Sequence, residues 1–64
     1  MTPIEFRTIR LKNRITQEQL ADFLDLTRMT IFKYEKGRDP IPKPIGMIMD
    51  LIDCGLISKT DVVN

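Results

Sequence analysis

Cationic side chains crowd the first part of this 64-residue chain. Residues 1–38 hold eight Lys/Arg, at positions 7, 10, 12, 14, 28, 33, 36 and 38, against five acids, a net +3. Residues 39–64 hold two Lys against four Asp, a net −2. The overall charge of +1 therefore hides a basic half joined to an acidic half, the pattern of a chain whose first half meets an anionic partner. Ordinary surface scatter is the alternative. The densest grouping is Arg28, Lys33 and Lys36, which share one helical side with Met29 and Phe32, opposite Ile31, Tyr34 and Glu35. Other chemistry is poorly supplied. With no His, one Cys and three Gly, there is no imidazole acid–base, no Cys–His nucleophile and no glycine-rich phosphate loop. An internal disulfide and the common Cys/His zinc sets are excluded too. No enzyme, cofactor or metal is expected.

The elements that must position these residues are marked by their starts and stops. Thr2, Pro3 and Glu5 form a capping box with proline in the first turn, opening a helix over about 3–12. Asn13 is expected to end it in the left-handed conformation. Thr16 and Gln19 make a second box, followed by a short helix over about 17–24 with Leu20, Ala21 and Leu24 inward. Thr27 caps a third helix that Gly37 closes. The three prolines between Arg38 and Pro44 make a stiff loop. A fourth helix covers about 43–54 and stops at Gly55, and the tail from Leu56 to Asn64 has a weak capping box at Ser58 and Asp61.

The second and third helices are separated only by Asp25-Leu26 and the cap Thr27. Two short helices across so tight a turn are a helix-turn-helix, whose second helix fits the DNA major groove while the first crosses the backbone. The fourth helix is apolar over most of its circumference, with only Gly46, Asp50 and Asp53 as a polar stripe. That is wider than the stripe of an ordinary surface helix. One side covers the first three helices, and the other calls for a second chain. A chain of this length buries only about 60% of its unfolded surface, so oligomerisation would supply missing stability. Simple exposure of Met47 and Met49 is the rival interpretation.

The segments Phe6-Arg7-Thr8-Ile9-Arg10, Ile15-Thr16-Gln17-Glu18-Gln19-Leu20-Ala21, Leu24-Asp25-Leu26-Thr27, and then Ile31, Tyr34-Glu35 and Gly37-Arg38 carry a family likeness. They resemble the Cro and lambda-repressor (XRE-like) helix-turn-helix regulators over about residues 4–54. The resemblance implies an all-α, compact four- to five-helix domain spanning 1–64, with the helix-turn-helix at about 16–37. It further implies a homodimer that binds double-stranded operator DNA as an inverted repeat and represses transcription. Position by position, it implies base reading by Arg28, Met29, Phe32 and Lys33, the two apolar residues touching a thymine methyl. It implies backbone contacts from Thr16, Gln17, Thr27, Thr30, Lys36 and Arg38, with Arg10 and Arg14 less central. Arg10 and Glu35 match a structural ion pair, and Tyr34 a core ring with its hydroxyl near phosphate. The dimer interface falls to Met47, Met49, Leu51 and Leu56.

Two departures from the family pattern stand out. Asp25 and Asn13-Arg14 occupy turns where glycine is common, and Asp adopts positive φ at a cost of order 1 kcal/mol. Phe32 is either an exposed contact residue or tucked under the first or fourth helix. No transmembrane run and no signal peptide are evident, and the free thiol suits a reducing cytosol. Neither a small-molecule ligand nor an effector domain is expected. A regulator of phage anti-CRISPR genes is a narrower possibility, and a DNA-binding antitoxin or interaction module whose fourth helix binds a protein partner is the alternative class.

Overall fold

The computed structural model describes residues 1–63; Asn64, the end of the tail considered above, lies outside the described residues. Five helices follow one another: α1 (Pro3–Lys12), α2 (Gln17–Leu24), α3 (Arg28–Glu35), α4 (Lys43–Asp53) and α5 (Lys59–Val62). There is no strand among the described residues, so the fold is all-α. None of these helices is long and apolar enough to cross a membrane.

Local sequence accounts for the helix starts. Thr2 Oγ1 accepts from the Glu5 amide at 3.1 Å, and Glu5 Oε1 accepts from the Thr2 amide at 2.9 Å. Those bonds to Thr2 hold the Glu5 carboxyl below its ordinary pKa. Thr16 and Gln19 repeat the box at 3.0 Å in both directions. Ser58 and Asp61 make a third, which gives the tail its single helical turn. Thr27 caps α3 by accepting from the Thr30 amide at 3.2 Å.

The helix ends are a common solution with different residues. After α2, Leu26 N donates to Ala21 O at 2.8 Å and Asp25 N to Asp22 O at 3.3 Å, a Schellman turn with Asp25 at φ 57°. After α3, the same pair of bonds forms around Gly37 at φ 71°. After α1 the left-handed residue is Arg14 (φ 59°), not Asn13 (φ −93°) as the sequence suggested. The reason is local. Asn13 spends its side-chain amide on the Ile9 carbonyl at 2.7 Å, and the reversal falls one residue later, where Arg14 N and Ile15 N reach Leu11 O and Arg10 O. Arg and Asp carry a Cβ into a region that favours glycine. Arg14→Gly and Asp25→Gly are each expected to raise the unfolding free energy by up to about 1 kcal/mol, even after the added freedom of the unfolded chain. Denaturant titration checks this, and a loss in both variants would contradict it.

The core gathers one stripe from each helix. Phe6, Leu20, Ile31 and Met49 are completely buried, and Ile15, Ala21 and Ile52 nearly so. Phe6 meets Tyr34 edge to face, with ring centroids 5.8 Å apart. α4 lays Ile45, Ile48, Met49 and Ile52 on this core, the i, i+3, i+4, i+7 pattern of a single inward face. Met49 is therefore not an interface residue: its side chain lies wholly inside its own chain. The wide apolar belt of α4 splits into this covered stripe and a smaller exposed part, Met47 and Leu51, one turn apart. The tail contributes as well: α5 packs against α2 and buries Val62.

Candidate nucleic-acid interface

α2 and α3 pack against each other across the Asp25-Leu26 turn, and α1 packs on α3. Their mutual angle is held by one polar cluster. Arg10 of α1 pairs with Glu35 of α3 through Nε at 2.5 Å and Nη2 at 3.0 Å, a bidentate fork. Arg10 Nη1 also donates to the Ile15 carbonyl at 3.0 Å, ahead of α2. Gln17, the first residue of α2, donates to Glu35 Oε1 at 3.2 Å. The Arg10 and Glu35 side chains are only 9% and 4% exposed. No buried side-chain polar atom lacks a partner among the described residues. Three helices are thus tied at one point, directly beneath the outer surface of α3.

Above that cluster runs a shallow cleft lined by Arg7, Gln17, Arg28, Phe32 and Lys36, with Arg10 and Glu35 as its floor. A second depression continues past Leu11, Arg14, Thr16 and Glu18 to Arg28. Arg28 and Met29 stand exposed on the first turn of α3, Met29 at 58%. Phe32 and Lys33 are half-buried. Phe32 falls between the two expectations, neither fully exposed nor fully covered. Its ring carries Lys36 Nζ at 5.6 Å and Arg38 Cζ at 5.7 Å, within cation–π range. The ion pairs among the described residues are Arg10–Glu35 and Lys12–Asp53. Arg7, Arg14, Arg28, Lys33, Lys36 and Arg38 are consequently free of carboxylate partners there. Unpaired cations around a groove-sized helix attract a polyanion.

The remaining residues singled out from sequence fall into two groups. Thr16 and Thr27 occupy the N-caps of α2 and α3, and Thr30 shares a 2.9 Å hydroxyl contact with Thr27. Capping amides and helix dipoles there favour phosphate. Met47, Leu51 and Leu56 are exposed at 57%, 39% and 76% and take no part in the cleft. Arg7 lines the cleft although it is not among the contact residues expected from sequence. Its signal was present: Arg7, Arg10 and Arg14 recur at spacings of three and four, so they share a side of the first helix and its turn.

This geometry defines a class of protein: a small helical domain that presents a capped helix on a cationic surface, with a second helix braced across its start. A family model described as Helix-turn-helix matches residues 6–49, and the chain belongs to that family, of the XRE type. It is accordingly a DNA-binding transcription regulator, and the family's domain is non-enzymatic. No curated protein and no solved structure matches it.

Proposed function

We propose that two copies of the chain bind an inverted-repeat operator as a repressor, each placing α3 in the major groove. The observation that carries this reading is Arg28 and Met29: an unpaired guanidinium and an exposed thioether on the first turn of a capped helix. Arg28 suits the O6/N7 edge of guanine, Lys33 a guanine or a phosphate, and Met29 a thymine methyl. Thr16, Gln17, Thr27, Thr30, Lys36 and Arg38 serve the backbone, joined by Arg7 and Arg14. Contacts to phosphate fix register, while those to base edges read sequence.

The second copy meets the first through the exposed apolar residues Met47, Leu51 and Leu56. Scattered apolar residues are normal on a surface, but here three lie on α4 and the turn that follows it, in a domain too small to be generously stable. Two-fold symmetry would set the recognition helices about 34 Å apart, one turn of DNA.

Selection from random duplexes followed by footprinting tests the reading. The expected result is a symmetric site of two half-sites spaced one turn apart, with affinity that falls steeply as salt rises. A single unsymmetrical site, or no enriched site, would sink it. The same exposed apolar residues favour one other reading, a protein partner in place of the second copy. A monomer in sedimentation, with an intact single half-site on DNA, would point there.

A further inference from the structure

The half-buried ring of Phe32 sits at the centre of a charge arrangement that neither base reading nor core packing explains. Lys36, the C-cap of α3, lies four residues further along the chain, and its ammonium stands 5.6 Å from the ring centroid. Arg38 comes from beyond the helix. Gly37, at φ 71°, turns the chain back, and Arg38 N donates to the Lys33 carbonyl at 2.9 Å. That reversal brings the Arg38 guanidinium to 5.7 Å from the same ring. Neither cation has a carboxylate partner among the described residues. A long side chain free in solution loses its rotamer freedom when it grips a phosphate, which weakens binding. A ring that already holds the cation removes much of that loss.

We infer that Phe32 is a positioning residue: a platform that pre-orders Lys36 and Arg38 for adjacent phosphates of the DNA backbone, rather than a reader of thymine. The inference rests on the DNA-binding reading above and adds a role for this ring. The two roles leave different traces. Loss of a thymine-methyl contact weakens binding only where that base is present. Loss of a phosphate-gripping platform weakens binding on every sequence alike.

The test compares the unaltered protein with Phe32→Leu and Phe32→Tyr, by fluorescence anisotropy on a duplex selected from a random pool and on its single-base variants. Thermal melts establish that each variant is folded. Phe32→Leu should raise Kd by about three- to tenfold, equally on all duplexes. Phe32→Tyr keeps the ring face and should restore affinity. In the Phe32→Leu background, Arg38→Gln should cost less than it does alone. Without DNA, the Arg38 δ-protons and Lys36 ε-protons of the unaltered protein should show upfield ring-current shifts in NMR spectra that vanish in Phe32→Leu. A loss confined to duplexes with one particular base, an unchanged or improved affinity, or absent ring-current shifts would each overturn the platform. If the shifts are present but no duplex is bound, the DNA-binding reading itself fails and the platform's role falls with it.

Discussion

Glu35→Leu lowers the unfolding free energy by about 3–5 kcal/mol, the cost of leaving one member of a buried ion pair unmatched. At roughly 0.05–0.15 kcal/mol per residue, a 64-residue domain has about 3–10 kcal/mol in total. The variant should therefore lose about a third or more of the domain's stability, and its denaturation midpoint should fall accordingly. The reason lies in what Glu35 holds. Its carboxylate takes both the Nε and Nη2 of Arg10 and the amide of Gln17. With leucine there, the Arg10 guanidinium keeps only its bond to the Ile15 carbonyl in a site where it is nearly sealed from water. The double variant Arg10→Met/Glu35→Leu replaces both charges with apolar groups of similar bulk and should recover most of the loss. Circular-dichroism titrations with denaturant measure both. A Glu35→Leu cost near zero would mean that the pair is solvated and that α1, α2 and α3 are oriented by packing alone.

Met49→Ala is the second large effect, about 2–5 kcal/mol. Met49 is fully buried in the chain's own core, so its truncation opens a cavity beneath α4. The loss should be the same at low and high protein concentration, because it belongs to each copy separately. Met47→Ala and Leu51→Ala, at exposed positions of the same helix, should change the fold's stability by no more than about 0.5 kcal/mol when the protein is dilute. They should act on self-association instead. Equilibrium unfolding at two concentrations separates the cases. A concentration-dependent Met49→Ala effect would return that residue to an interface.

The contrast between these residues shows what was readable beforehand. Helix starts were legible because a cap is a local contract: Thr2 with Glu5, Thr16 with Gln19 and Ser58 with Asp61 meet across three residues, and nothing distant competes. The all-α order and the helix-turn-helix followed from those caps and the short turn between α2 and α3. Details governed by competing bonds were less legible. Asn13 looked like the left-handed residue on propensity, yet its amide found the Ile9 carbonyl, and Arg14 took the strained position. The inward face of α4 was hidden because apolar residues surround most of that helix. Only the packed core distinguishes Met49 from Met47. The partners of Phe32 were hidden for a similar reason. Lys36 lies at a readable i+4 spacing, but Arg38 arrives through the Gly37 turn, which no helical periodicity describes.

The surface of α3 links these observations to function. A buried polar knot fixes the helix from below, a Schellman turn closes it, and unpaired cations line its outer side. On the proposed function, Arg28 reads a base from the start of α3. The most direct measurement is the affinity of Arg28→Ala, against the unaltered protein, on the selected duplex and on every single-base variant of one half-site. Arg28→Ala should cost about 1–3 kcal/mol on the selected duplex, with discrimination relaxed at one G·C pair and kept elsewhere. A uniform loss across all duplexes, or no loss, would contradict it.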